Sequence, residues 1–154
     1  SDKGAMGLIV NKPNRDIKLR DVLDQLEISA VPDGEDMTVH YGGPVDSGRG
    51  FVIHSGDYAQ QSTLTVGGEI GLTSTVDVLK AMAKQRGPEK AIVALGYAGW
   101  SPGQLENEIA QNGWLTCPAE PEILFEPDLA HKWVRAMATM GIDPLTLSSE
   151  AGHA

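Results

Sequence analysis

The chain predicts an α+β fold, a mixed sheet flanked by about four helices. Three observations carry that prediction. Strand-length apolar runs follow one another through the middle of the chain, with no regular strand–helix alternation. Four segments carry a helical apolar repeat or a helix start signal. A length of 154 residues, 41% hydrophobic, suits one compact domain with a sizeable core.

The elements read in order as follows. Gly7 to Val10 is a strand ending at Asn11-Lys12-Pro13. Leu19, Val22, Leu23 and Leu26 sit at i, i+3, i+4 and i+7, which predicts a helix capped by Asp16. Val31 to Asp36 is a turn cluster. Thr38 to Tyr41 is a short strand stopped by Gly42-Gly43-Pro44, and Gly50 to His54 is another. Ser62 to Val66 and Glu69 to Leu72 bracket Gly67-Gly68, a two-residue hairpin signal. Ser74 caps a helix through about Arg86, with Val76, Leu79 and Ala83 on one face and Gly87-Pro88 as its stop.

The stretch from Ala91 to Thr116 is the most specific. Ala91 to Leu95 is a strand bounded by Gly96, followed by a Gly-rich turn. Ser101 then reads as an N-cap, with Pro102 at the first helical position and Gln104 three residues after the cap. Trp100 and Leu105 are placed to form a hydrophobic staple, and Asn112-Gly113 ends the helix. Trp114 to Thr116 and Ile123 to Phe125 read as short strands. Asp128 caps a last helix whose stripe of Leu129, Trp133, Ala136, Met137 and Met140 ends at Gly141, with Trp133 in the core. Residues 1–144 form the predicted domain, and 145–154 a tail without periodicity.

Net charge is −9, which argues against a phosphate-backbone partner and so against direct DNA binding. The segment 100–130 holds six acids and no Lys or Arg, while Lys3, Lys12, Arg15, Lys18 and Arg20 cluster near the start. No apolar run is long enough to cross a membrane. The lone Cys117 cannot form an internal disulfide, which fits a cytosolic protein.

The chain holds no HExxH, no CxxC and no metal-ligand spacing, so no metal or cofactor is expected. His40 and His54 fall in strands expected to be neighbours, with hydrogen bonding at a sheet edge as the simplest role. Ser101 lacks a nucleophile-elbow context, and Cys117 has no nearby cation to activate it. Trp114 reads as a helix-to-strand packing residue. A sharper site is the turn containing Gly96, Gly99 and Gly103 before a helix start. If Arg49, in the loop between Gly42-Gly43 and Gly50, faces Ser101, an anion pocket results. The alternative is that the glycines serve tight packing and Arg49 pairs with a carboxylate.

The motif GYAGW-x-x-GQLE-x-E followed by a Trp resembles the signature of the AlgH/YqgE family of bacterial proteins. GAMGLIVNKP (Gly4 to Pro13), YGGPV (Tyr41 to Val45) and RGFVIHS (Arg49 to Ser55) agree with it in order and spacing. The resemblance runs from near residue 1 to about Asp143. It implies a mostly antiparallel, bifurcated sheet that includes a small closed barrel. It also implies that the chain begins after the family's first segment, so that it is N-terminally incomplete. Some members carry a transcriptional-regulator label, and the family's biochemical activity is not settled.

These observations lead to a non-enzymatic, cytosolic binding or regulatory protein acting through a protein or small anionic ligand, with any effect on transcription indirect. The candidate surface is Asn11, Gly43, Pro44, Arg49, Tyr97, Gly99, Trp100 and Gln104. The alternative is an enzyme or small-anion binder using a pocket between the Gly42–Arg49 loop and the Ser101 helix start.

Overall fold

The computed structural model describes residues 2–29 and 37–146. Its strands are β1 (Ala5–Gly7), β2 (Pro13–Lys18), β3 (Thr38–Tyr41), β4 (Val45–Ser55), β5 (Leu64–Val66), β6 (Ile70–Thr73) and β7 (Ala91–Trp100). The helices are α1 (Leu19–Gln25), α2 (Val76–Ala83), α3 (Gln104–Ala110), α4 (Pro121–Leu124) and α5 (Leu129–Thr139), with a 3-10 turn at Pro144–Thr146. The predicted turn at Val31–Asp36 lies outside the described residues, as does the tail beyond Thr146.

The sheet is mixed, in the order β2-β3-β7-β4-β6-β5, and only the β3–β7 pair is parallel. β1 pairs with the last three residues of β7, away from the main path, so the sheet divides at β7. The expected closed barrel is not present. β2 and β5 are opposite edges of the order, and β1 joins β7 instead of bridging them.

Both faces of the sheet are covered, which is why Ile92, Val93 and Ala94 form a continuous buried run in β7. Odd positions of β7 face α1 and α2. There Val93, Val39 and Val52 pack with Leu19, Leu23, Val78 and Leu79. Even positions face the other way, where Ile92, Ile53 and Ile70 pack with Leu8, Val10, Leu124 and Phe125.

Several expectations hold. Thr38–Tyr41 is a strand, and a hairpin turns on Gly67 (φ +60) and Gly68 (φ +82), both left-handed, although its loop has three residues and not two, because Val66 pairs with Ile70 and Glu69 joins the turn. The Asp128 side chain accepts from the N–H groups of Ala130 and His131 and starts α5.

Others are corrected. Of the strand placed at Gly7–Val10 only Gly7 is strand, as the end of β1, and Leu8 to Val10 are irregular. They leave the ladder because Leu8 and Val10 turn into the second core. Pro13 opens β2 instead of ending a strand. Lys18, not Asp16, occupies the α1 cap position, and Asp21 accepts from its N–H at 2.7 Å. Thr75, not Ser74, precedes α2. Ile123 to Phe125 is no strand: Pro121 starts α4 there, which makes five α-helices among the described residues instead of about four. Trp114 to Thr116 is irregular. Trp133 is 45% exposed, because α5 turns Lys132 and Met137 inward instead.

Candidate functional site

β7 does not stop at Gly96. It continues to Trp100 because Gly96, at φ +74, lets the strand pass a close backbone crossing. A Cβ on Gly42 would lie 2.2 Å from the Gly96 oxygen, and one on Gly43 2.1 Å from the Tyr97 carbonyl carbon. The YGGP turn therefore lies directly on the β7 backbone, tied by Gly42 N–H to Leu95 O at 2.8 Å. The predicted Gly-rich turn is strand, and Gly103, not Ser101, holds the α3 cap position.

That change removes the expected anion cradle. α3 has seven residues. The Ser101 N–H donates to Gln104 Oε1 at 3.0 Å, and the Gln104 N–H to Ser101 O at 3.0 Å. Two of the donors at the turn, the Ser101 and Gln104 N–H groups, are thus used within it.

The eight candidate residues divide between the two faces of β7. On one face Tyr97 packs edge-on to Phe51, ring centroids 5.9 Å apart, and the Arg49 guanidinium lies 5.3 Å from the Phe51 ring centroid. Gly99 borders the Tyr97 ring, and Gly43 and Pro44 lie beside it. β4 bulges here: Val45 pairs with Tyr97 and Gly50 with Leu95, so four β4 residues stand opposite Gly96. Arg49 sits in that bulge and is exposed. No carboxylate among the described residues pairs with it. The exposed Asn11 belongs to a segment running alongside Tyr41 and Gly42, through Tyr41 N–H to Lys12 O and Ile9 N–H to Gly42 O.

On the opposite face Trp100 covers Gly7 and meets Trp114 edge-on, centroids 5.8 Å apart. The Glu108 carboxylate accepts from Trp114 Nε1 at 2.7 Å, Gln104 Nε2 at 3.0 Å and Trp100 Nε1 at 3.1 Å. The Trp114 hydrogen bond, with those from Gln104 and Trp100, holds the Glu108 carboxyl below its ordinary range. Trp100 and Gln104 thus anchor α3 and the loop after it. Trp114 serves this clasp instead of packing helix on strand. Glu106 and Glu108 form no carboxylate pair.

The two strand histidines are not neighbours. β7 lies between β3 and β4, and His40 (opposite Ala94) and His54 (opposite Ala91) project to opposite faces. His54 is fully buried. Its Nδ1 meets Ser55 O at 2.9 Å, which only an N–H can satisfy, so Nε2 accepts from Thr73 Oγ1 at 2.9 Å. Thr73 Oγ1 then accepts from Thr63 Oγ1 at 2.7 Å, and Thr63 Oγ1 from the Gln60 N–H at 2.9 Å. The wiring resembles a general base and hydroxyl, but both groups are wholly buried. This network holds β4, β6 and the preceding loop together.

His40 is different. It is 9% exposed, and neither ring nitrogen makes a well-formed hydrogen bond. It borders a cavity of about 520 Å³ also lined by Lys132. Lys132 is 5% exposed, and its ammonium donates to Val10 O at 2.8 Å, a carbonyl in the segment that left the ladder. Burial, and then the Lys132 charge, push the His40 pKa down against weaker support from the Val93 and Thr38 carbonyls. Burial also lowers the Lys132 pKa, with Glu126 opposing. Lys132 escaped the sequence reading. The only signal was its place three residues after Leu129 and four before Ala136, within the apolar stripe.

A second cavity, about 550 Å³, lies on the other face between α1 and α2 and is mostly apolar, with Val22, Leu26, Phe51 and Leu79 among its walls. Among the described residues no group of three or more His, Cys, Asp or Glu could hold a metal ion. No helix among them is long and apolar enough to cross a membrane.

Comparison with known proteins bears on this geometry. The model of the family described as AlgH-like matches residues 1–145. A UPF0301 protein of Cereibacter sphaeroides is 53% identical over 155 residues, covering all of this chain and 84% of the relative. One from Mesorhizobium japonicum is 52% identical over 160 residues, covering all of this chain and 79% of its own. The solution structure of the AlgH protein from Pseudomonas aeruginosa superposes with a TM-score of 0.79 at 44% identity, over all of this chain and 82% of that one. The crystal structure of a Corynebacterium diphtheriae protein shares the fold at a TM-score of 0.64 and 18% identity, over 88% of this chain and 72% of that one. With the family model spanning nearly every residue and relatives about half identical along the whole length, the chain belongs to the AlgH-like family.

Proposed function

We propose that the protein is a non-enzymatic cytosolic binding protein that captures a small anion, or an acidic group of a protein partner, on the Arg49 face. Any regulatory effect, on transcription included, then runs through that partner. The observation that carries this reading is the state of Arg49. In a chain of net charge −9 its guanidinium is exposed, rests over Phe51, and has no carboxylate partner among the described residues. Stacking limits the side chain's freedom before an anion arrives, and the planar fork suits carboxylate or phosphate. Gly43, Pro44, Tyr97 and Gly99 supply the floor. Asn11 lies on the segment flanking the YGGP turn, while Trp100 and Gln104 support the end of β7 from behind. The lone, exposed Cys117 is in keeping with a reducing compartment.

A thermal-shift panel of small carboxylates and phosphates, run on the full chain and on Arg49→Ala, tests the reading. The expected result is at least one anion that raises the Tm of the parent but not of the variant, with the unliganded proteins melting together. Equal shifts in both proteins would remove Arg49 from binding. An Arg49→Ala chain that fails to fold would make the residue architectural.

A further inference from the structure

We propose that the cavity between β3, the start of β7 and α5 is a second binding site, which takes a small monocarboxylate with an apolar body on Lys132 and His40. Two buried groups there lack what their chemistry requires. His40 offers two ring nitrogens, and neither completes a well-formed hydrogen bond, the Val93 and Thr38 carbonyls giving only weak support. Leaving buried polar atoms unpaired costs stability and is uncommon in native cores. Lys132 carries three N–H donors, of which Val10 O takes one. Glu126, the acid acting on it, is committed to Arg135 at 2.9 Å and lies 3.6 Å from His131. No carboxylate among the described residues lies within ion-pair distance of Lys132. One carboxylate placed between them would give the ammonium a counter-charge and one ring nitrogen of His40 an acceptor.

The walls select the class of anion. Met37, Ile92, Phe125 and Leu129 line the cavity and suit an apolar body. Glu126 and Glu89 also border it and disfavour a dianion such as phosphate. The volume, about 520 Å³, is in the range that holds a small ligand. This site is independent of the Arg49 face, since β3 and β4 flank opposite edges of β7.

Occupancy has a proton signature. The groups facing His40 are Lys132 from α5, Glu126 from the segment before it, and Glu89 and Lys90 from the approach to β7. Burial and Lys132 keep the free imidazole neutral at neutral pH. A bound carboxylate reverses that balance, so binding takes up a proton and tightens as pH falls toward the lowered pKa of the free imidazole.

Calorimetry of the full chain with butyrate, in two buffers of different ionisation enthalpy and with inorganic phosphate as comparator, tests the proposal. Butyrate should bind with net proton uptake and phosphate should not. Lys132→Gln should weaken butyrate at least about tenfold, and His40→Gln should abolish the proton uptake. No butyrate heat at about 10 mM, phosphate binding that Lys132→Gln abolishes, or undiminished butyrate binding by Lys132→Gln would each overturn it. If Lys132→Gln does not fold, the parent's imidazole ¹⁵N resonances decide. Butyrate must move those of His40 toward the protonated pattern, and unmoved resonances overturn the proposal.

Discussion

Gly71 lies against the edge of the His54 ring, where a Cβ would fall 2.2 Å from Cε1. The two residues are direct partners across the β4–β6 ladder. The wholly buried His54 thus keeps its bond to Thr73 only because its partner has no side chain. Gly71→Ala should cost about 2–3 kcal/mol through forced displacement of the ring, read as a lower urea midpoint with an unchanged slope. A variant as stable as the parent would show that the ring can move aside freely.

Thr73→Val keeps the shape at that position and removes the hydroxyl. His54 Nε2 then has no donor and Thr63 Oγ1 no partner in Thr73. The expected loss is about 1–3 kcal/mol by denaturant unfolding.

Glu108 makes the end of β7 pH-sensitive. Its folded carboxyl is held below the ordinary value of 4.5 by three hydrogen bonds. The stabilisation is therefore fully present above pH 4.5 and is lost as pH falls through the lower folded value. Tryptophan emission should shift to the red in that acid window as Trp100 and Trp114 lose their acceptor. Glu108→Gln should show the red-shifted spectrum already at neutral pH.

His40 works in a higher window. Its folded pKa lies below the ordinary 6.5, so the unfolded chain binds more protons there and stability declines as pH falls below 6.5 toward the folded value. His40→Gln should remove that part of the pH dependence and leave the Glu108 window in place. Urea unfolding at a series of pH values from about 7 to about 3 separates the two.

Much of the fold was legible because local chemistry decided it. Gly67-Gly68 forces a tight hairpin, Asp128 caps α5, and the Thr38–Tyr41 run fits only a strand. Where local signals competed with tertiary contact, contact won. The Ser101-Pro102 cap signal read as an early helix start, but the GG–Gly96 crossing extends β7 to Trp100 and delays α3 to Gln104. In α5 the stripe fitted Trp133 and Lys132 alike, and the free carbonyl of Val10 drew the lysine inward. Of the candidate surface, Arg49 and Tyr97 meet through Phe51, a residue that the sequence does not single out as joining them. Trp100 and Gln104 were separated from Arg49 by the strand pleat, which shows only once Gly96–Gly99 is seen to be strand.

The Arg49 face is tested most directly by an NMR titration of the full chain that follows the Arg49 Nε–H resonance as triglutamate or inorganic phosphate is added. The account predicts a saturable shift of that resonance and of the Tyr97 and Gly43 amides, shared with no other arginine and absent in Arg49→Lys, whose ammonium lacks the fork. An Arg49 resonance that stays still while either anion binds elsewhere, or that moves in step with every exposed arginine, would contradict it.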